Sequence, residues 1–496
     1  MLGGALRAAC EEMGAVLVKS AHSANVKERR DCSCALFDAD GAMVMQAEHI
    51  PVHLGAMPAS VVAVAEARRQ AGDDTDAPWI LNDPFAGGTH LPDITVVTPV
   101  LDDDGTLLGF AASRAHHADV GGPTPGSMPA DSRTLEEEGV VIAPRVLDDA
   151  AIAELSELMR NPPQRRADLR AQLAANRTGA TRLRDLAHKL GSEQLREATD
   201  AVQDYAERRM RACIEALGDG TREASDVLEA ADGDLQLHLA ATVEGDTLKL
   251  DFSGSAGQHD GNLNCPLAVT TSACLFAVRV LTDPDIPPSA GASRPLEVVA
   301  PEGSLLNARS PAAVVAGNVE TSSRVADLVL AAFGRALGQG TLNNVVLGPD
   351  EFTYYETLGG GQGACPDADG PSGVHVAMSN TLNTPVEALE LEFPLRVTEY
   401  AVRRGSGGGG AHRGGDGVVR EYEALADMEL SLLTERRRHG PPGAAGGEPG
   451  ARGRNALDGE ELPPKARATL RAGQRLRLET PGGGGHGDPA DAEDSG

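Results

Sequence analysis

The chain has 496 residues, 41% of them apolar, and carries 44 basic against 73 acidic side chains for a formal charge of −29. Such a length exceeds what one hydrophobic core supports, so several subregions are expected. The acidic balance excludes a nucleic-acid or anionic-membrane face, which needs clustered cations. Seven scattered cysteines without a CxxC pair, no signal-peptide pattern at the start and no long apolar run together predict a cytoplasmic protein with reduced thiols.

In chain order, residues 5–22 place Leu6, Met13, Val16 and Leu17 at helical spacing. The chain thus begins inside an element, and a preceding segment is expected. SCALFDADGAMVMQ (33–46) reads as a hairpin around Asp-Ala-Asp-Gly. Strands are predicted at 94–100 and 107–113. From Ala151 to Leu217 the pattern is helical, broken at NPPQ (161–164). DLQLHLAATVEGDTLKLDFSG (234–254) alternates as a second hairpin, and helices follow at about 266–281 and 319–337. Beyond residue 405 glycine dominates. The fold class is α+β. The expected division is a β-rich region with a metal site (1–150), a helical region (151–220), a mixed α/β region (221–404), a glycine-rich β/loop region (405–486) and a disordered tail (487–496).

Candidate ligands crowd the first quarter: Glu28, Asp31, Glu48, His49, His53, His90, Asp93, His116, His117 and Asp119. A divalent cation needs three or four such groups converging, with an open position for water or substrate. Imidazoles mixed with carboxylates suit Mn²⁺, Zn²⁺ or Fe²⁺ better than the oxygen-seeking Mg²⁺ or Ca²⁺. His90 and Asp93 stand before a strand, where positions three apart point to opposite faces. They converge only in a bent loop, which Gly87-Gly88 and Pro92 supply. His116 and His117 are adjacent, so a strand lets only one face the site, and the sequence leaves both open. GSGGGG (405–410) fits a dinucleotide fingerprint in letters alone and reads as a flexible loop, and no P-loop is present. AGNVETSSRV (316–325) offers Asn318 to Ser322 as a helix cap, and NTLNTPVEALE (380–390) offers polar groups to a substrate or to a helix end. Cys32 and Cys34 share one face of a strand as small hydrophobes.

The segments ERRDCSCALFDADGAMVMQAEHIPVHLGAMPASV, LNDPFAGGTHLPDITVVTPV, SRAHHADVGG, GNVETSSRV, NTPVEALE, RGGDGVVRE and TPGGGGHG resemble the hydantoinase B family over essentially the whole chain. That family includes N-methylhydantoinase B subunits, the C-terminal half of 5-oxoprolinase and the large subunit of acetone carboxylase. The resemblance implies a hydrolytic subunit working with an A-type partner that binds ATP and phosphorylates the carbonyl of a cyclic amide or imide. It implies a divalent metal, Mn or Zn or Fe, held by Asp31, His90, Asp93 and His116, with Glu28 and Glu48 as alternative acidic ligands. His117 or Asp119 would orient the attacking water or take its proton. The expected assembly is a hetero-oligomer. An acetone-carboxylase-like carboxylase and a non-catalytic scaffold are the alternative readings.

Overall fold

A computed structural model describes residues 2–47, 50–349 and 351–490. Its front is a six-stranded antiparallel sheet clamped between helices. The elements are α1 (Leu2–Ser20), α2 (Ala24–Lys27), β1 (Cys32–Phe37), β2 (Met43–Ala47), α3 (His53–Ala71), β3 (Trp79–Leu81), β4 (Asp93–Leu101), β5 (Leu107–His116) and β6 (Arg145–Val146), with spatial order β2-β1-β5-β4-β3-β6. Then come α4 (Asp149–Glu157), α5 (Pro162–Leu190) and α6 (Ser192–Ala216). NPPQ separates α4 from α5: Asn161 takes φ +54° and two prolines open α5, where a missing N–H costs nothing.

Strand alternation assigns each face. On β1, Cys32, Cys34 and Leu36 pack with Met13 of α1 and Ala175 of α5, while Ala35 and Phe37 pack with Met57 and Val61 of α3. The cysteines are buried and free, and burial pushes the Cys32 thiol up to about 12, so they act as small apolar groups. On β5, Phe110 and Ala112 face α3, whereas Ala111 and Ala115 face α5. Of the helices in 151–220, α5 covers this sheet through Ala171 and Ala175, whereas Ala206, Met210 and Ile214 of α6 pack into the core of the sheet that follows.

A second sheet follows, from β7 (Gly220–Ala230), β8 (Gly233–Glu244), β9 (Thr247–Asp251) and, after α7 (Leu267–Leu281) and α8 (Ala290–Ser293), β10 (Leu296–Val299), in the order β10-β9-β8-β7. The predicted 234–254 hairpin is β8–β9, turning at Gly245 with φ +59°. A π-helical turn (Gly317–Thr321) leads into α9 (Ser322–Ala332).

The remainder holds β11 (Asn344–Gly348), β12 (Tyr354–Glu356), α10 (Val386–Glu392), β13 (Leu395–Arg403), β14 (Gly417–Ala424), β15 (Met428–Leu433), β16 (Arg454–Leu457), β17 (Glu460–Leu462), β18 (Lys465–Leu470) and β19 (Arg475–Glu479). They form sheets ordered β12-β11-β15-β18 and β13-β14-β19-β16-β17. The first of these straddles residue 404, so the expected boundary there does not divide the fold.

The glycine-rich segments differ most from the sequence reading. They are not a flexible loop but a mutually bonded assembly. Gly415 N–H donates to Gln362 O, Gly483 N–H to Gly415 O, Gly408 N–H to Gly483 O and Gly485 N–H to Glu448 O, each at 2.9 Å. A Cβ on Gly483 would stand 2.0 Å from Gln362 O, and one on Gly485 2.0 Å from Gly409 O. Backbones approach so closely that only glycine fits, the same constraint that places glycine at the axis of a collagen helix. Of the expected tail, Gly487 donates to Ala444 O at 3.1 Å, and residues 491–496 lie outside the described ones.

Candidate metal centre

The loop before β4 is bent by its own sequence. The Asp83 carboxylate accepts from Phe85 N–H at 2.9 Å, and Gly87 turns the chain with φ +89°. A Cβ on Gly87 would meet the Ala59 backbone at 2.4 Å, so the residue type also lets the loop lie against α3. Asn82 pins the loop from within, donating to Leu91 O and Val140 O at 2.9 Å each. The result folds His90 back over Asp93.

Asp93 opens β4 and pairs across the ladder with His116, the last residue of β5. Opposed residues project to one face, and that face is the one that Phe110 and Ala112 turn toward α3. His90 Nε2 and His116 Nδ1 lie 3.1 Å apart, and each is 3.3 Å from Asp93 Oδ1. These edges suit ligand atoms about 2.0–2.2 Å from one shared cation. All three residues are buried.

The surroundings orient the ligands. Thr89 Oγ1 donates to Asp93 Oδ2 at 2.6 Å. Tyr355 stacks on the His116 ring at 4.6 Å and 11°, with the Arg29 guanidinium 4.4 Å above its other neighbour face. His53, the first residue of α3, joins from the side, its Nδ1 2.9 Å from Ser33 Oγ and its Nε2 3.4 Å from Asp93 Oδ2. Burial opposes ionisation of Asp93, but the His90, His116 and His53 imidazoles hold its carboxyl well below the usual carboxylate range. Burial also depresses His116, which favours the neutral imidazole that a metal binds.

The residues fit a cation on a second count. The buried atoms His53 Nε2, His116 Nε2 and Asn318 Oδ1 have no hydrogen-bond partner among the described residues. Buried polar groups are seldom left this way except where an ion or water is due. Asn318 Nδ2 stands 3.1 Å from His90 Nδ1. The amide orientation is assigned by its network; turned over, the unsatisfied Oδ1 accepts from His90 Nδ1–H and leaves Nε2 to the metal. A possible metal site at His90, Asp93 and His116 is therefore present, with two imidazoles and a carboxylate as its donor set.

The family model described as Hydantoinase B/oxoprolinase matches residues 1–489. The chain belongs to the hydantoinase B/oxoprolinase family. It is 40% identical to 5-oxoprolinase 1 of Arabidopsis thaliana across 96% of its own length, and it spans 40% of that protein. It is 38% identical to an uncharacterized protein of Methanocaldococcus jannaschii, covering 97% of this chain and 88% of that one. The crystal structure of an ATP-dependent caprolactamase from Pseudomonas jessenii superposes with a TM-score of 0.91 at 26% identity, covering 98% of this chain and 90% of that one.

Within this hydantoinase B-type fold the other expected residues fall as follows. Asp31 lines the same small pocket as the triad, its carboxylate 3.7 Å from the Arg29 guanidinium. Glu28 ends α2, and Glu48 and His49 lie outside the described residues. His117 turns to the opposite face with Ala111 and Ala115, where its Nε2 meets Gln172 Oε1 of α5 at 3.0 Å. Asp119 holds a turn, accepting from Gly121 N–H at 2.7 Å and Gly126 N–H at 2.8 Å, and pairs with Arg160 at 3.1 Å. Neither is brought to the triad: strand parity removes His117, and backbone donors occupy Asp119. His53, one of the candidate ligands of the first quarter, joins the triad from the side, and Asn318, read from sequence as a helix cap, joins it as well. Their signal was spatial, since Asn318 sits in a π-helical turn rather than at a cap. Among the described residues no helix is long and apolar enough to cross a membrane.

Proposed function

We propose that this chain is the metal-bearing, hydrolytic subunit of an ATP-dependent cyclic-amide hydrolase, opening a lactam, hydantoin or 5-oxoproline ring activated by an ATP-binding A-type partner. The observation that carries the reading is the convergence of His90 Nε2, Asp93 Oδ1 and His116 Nδ1, with His53 Nε2 3.4 Å from Asp93 Oδ2. The family membership and the likeness to 5-oxoprolinase and caprolactamase support the substrate class.

In this reading His90, Asp93 and His116 hold Mn²⁺, Zn²⁺ or Fe²⁺, with the Asp31 carboxylate as the further acidic ligand. When bound, the cation lowers the pKa of a water ligand from 15.7 toward about 7 and polarises a carbonyl oxygen. His53 takes the role first given to His117 or Asp119. With Nδ1–H donating to Ser33 Oγ, its Nε2 is free to accept the proton of the attacking water. The pocket holds about 30 Å³, room for two waters, so water access to the reacting atom is restricted. Phosphorylation of the carbonyl oxygen makes its carbon electrophilic; water adds there, the ring C–N bond breaks as the nitrogen takes up a proton, and hydrolysis of the resulting acyl phosphate releases phosphate with the amino acid or its N-carbamoyl derivative.

The test is a complex of this chain with an A-type chain, screened for ATP-dependent turnover of 5-oxoproline, hydantoins and small lactams with bound metal measured in parallel. His90→Ala is expected to lose both metal and ring opening. Full activity in that variant overturns the reading.

A further inference from the structure

The metal pocket is too small for a cyclic amide. At about 30 Å³ it admits two waters, not a ring. A separate cavity of about 430 Å³, within the range of small-molecule sites, shares Ile50, Ser379 and Asn380 with it. A larger depression of about 720 Å³ beside Gly87 and Leu267 shares no residue with the metal pocket. The shared wall makes the 430 Å³ cavity, rather than the 720 Å³ one, the neighbour of the triad.

The lining is what an amide ring needs. Phe276 and Val280 of α7 and Leu330 of α9 give it apolar sides. Polar groups line it too, among them Gln46, Arg279, Asp327 and Gln362 and one touching pair: His375 Nδ1 lies 2.5 Å from Ser379 Oγ. His375 Nε2 has no hydrogen-bond partner among the described residues. Burial, with the Arg29 guanidinium nearby, pushes the His375 imidazole down to about 4, so it is neutral at pH 7. A neutral imidazole offers Nε2 as donor or acceptor according to tautomer. Either form matches one of the two polar atoms of an amide.

Resting on the hydrolytic reading above, we infer that the 430 Å³ cavity seats the ring of a compact cyclic amide, with the His375–Ser379 pair anchoring it beside the wall that the cavity shares with the metal pocket. His375 is a specificity residue that touches the substrate, and Ser379 positions it.

The experiment uses the complex with the A-type chain and a cyclic amide that this complex opens, and reads ring-opened product per ATP consumed alongside metal content. Val280→Trp fills the cavity from a half-exposed position where folding is not at stake, and His375→Gln removes the imidazole. Each is expected to lower product per ATP at least tenfold while metal content and ATP consumption persist. If both variants keep product per ATP within twofold of the unsubstituted complex, the cavity is not the ring site. The hydrolytic reading fails differently: the unsubstituted complex opens no cyclic amide, or His90→Ala still does so.

Discussion

In the glycine assembly, Gly483 N–H donates to Gly415 O and Gly408 N–H to Gly483 O, so backbone groups satisfy one another and side chains are absent. In the metal pocket the backbone is spent on an ordinary ladder and the side chains carry unmet demand: His53 Nε2, His116 Nε2 and Asn318 Oδ1. Both regions are dense in polar groups, the metal pocket buried and the glycine assembly partly exposed. The difference is where the unsatisfied capacity lies. An assembly whose backbone groups bond one another is a structural joint, linking 360–363, 406–417, 440–451 and 481–487. A pocket with several buried atoms left over is built for something that arrives later.

The sharpest way to break this contrast is one methyl group. Gly483→Ala places a Cβ 2.0 Å from Gln362 O and 2.3 Å from Gln362 C, both backbone atoms that cannot swing away. The expected cost exceeds about 4 kcal/mol, in the exceptional range for a point substitution. It reads as loss of soluble folded chain, or as a large drop in urea midpoint. Gly4→Ala is the control. Nothing lies within 4 Å of a Cβ there, and the site is on the exposed side of α1. That change is neutral or stabilising by about 0.5–1 kcal/mol. Equal losses at both positions would show that glycine content, rather than close backbone approach, sets stability.

Titration gives the next largest effect, and it touches only the second kind of region. His375 is held neutral, its folded pKa about 4 against an ordinary 6.5. Its folded value is depressed, so the unfolded chain binds a proton first as pH falls. The associated stability is fully present above about pH 6.5 and is lost between there and about pH 4, by up to about 3 kcal/mol. His375→Gln should flatten the unfolding free energy over that window when urea midpoints at pH 7 and pH 4 are compared. A slope equal to that of the unsubstituted chain would sink the assignment.

How far the sequence carried the reading follows the same division. The 33–46 hairpin, the 234–254 hairpin and the NPPQ break were legible because side-chain period and turn chemistry are local. His90 and Asp93 were legible because Gly87-Gly88 and Pro92 announce the bend that brings them together. The choice between His116 and His117 was not. The sheet is covered on both faces, so β5 is apolar in both phases, and only the register of Asp93 opposite His116 decides. His53 was visible as a candidate but not as a neighbour of Asp93, since nothing local says where α3 crosses β4. The glycine assembly was least legible of all: its contacts are between backbones, which leave no side-chain pattern.

Asn318 tests the pocket at its finest grain. It touches no other member of the triad, and its nearest partner is His90 Nδ1 at 3.1 Å. If its amide fixes the tautomer and ring angle of His90, Asn318→Ala should weaken metal binding by about 10–100-fold, the usual cost of losing a partner that orients a ligand. Thermal stability without metal should fall only by the worth of one hydrogen bond, about 1 kcal/mol, since the contact with His90 Nδ1 is what the truncated side chain gives up. Asn318→Asp keeps an acceptor for Nδ1–H and should restore much of the affinity. Metal titration of the three proteins separates this account from a cap, for which alanine would lower stability and leave affinity alone.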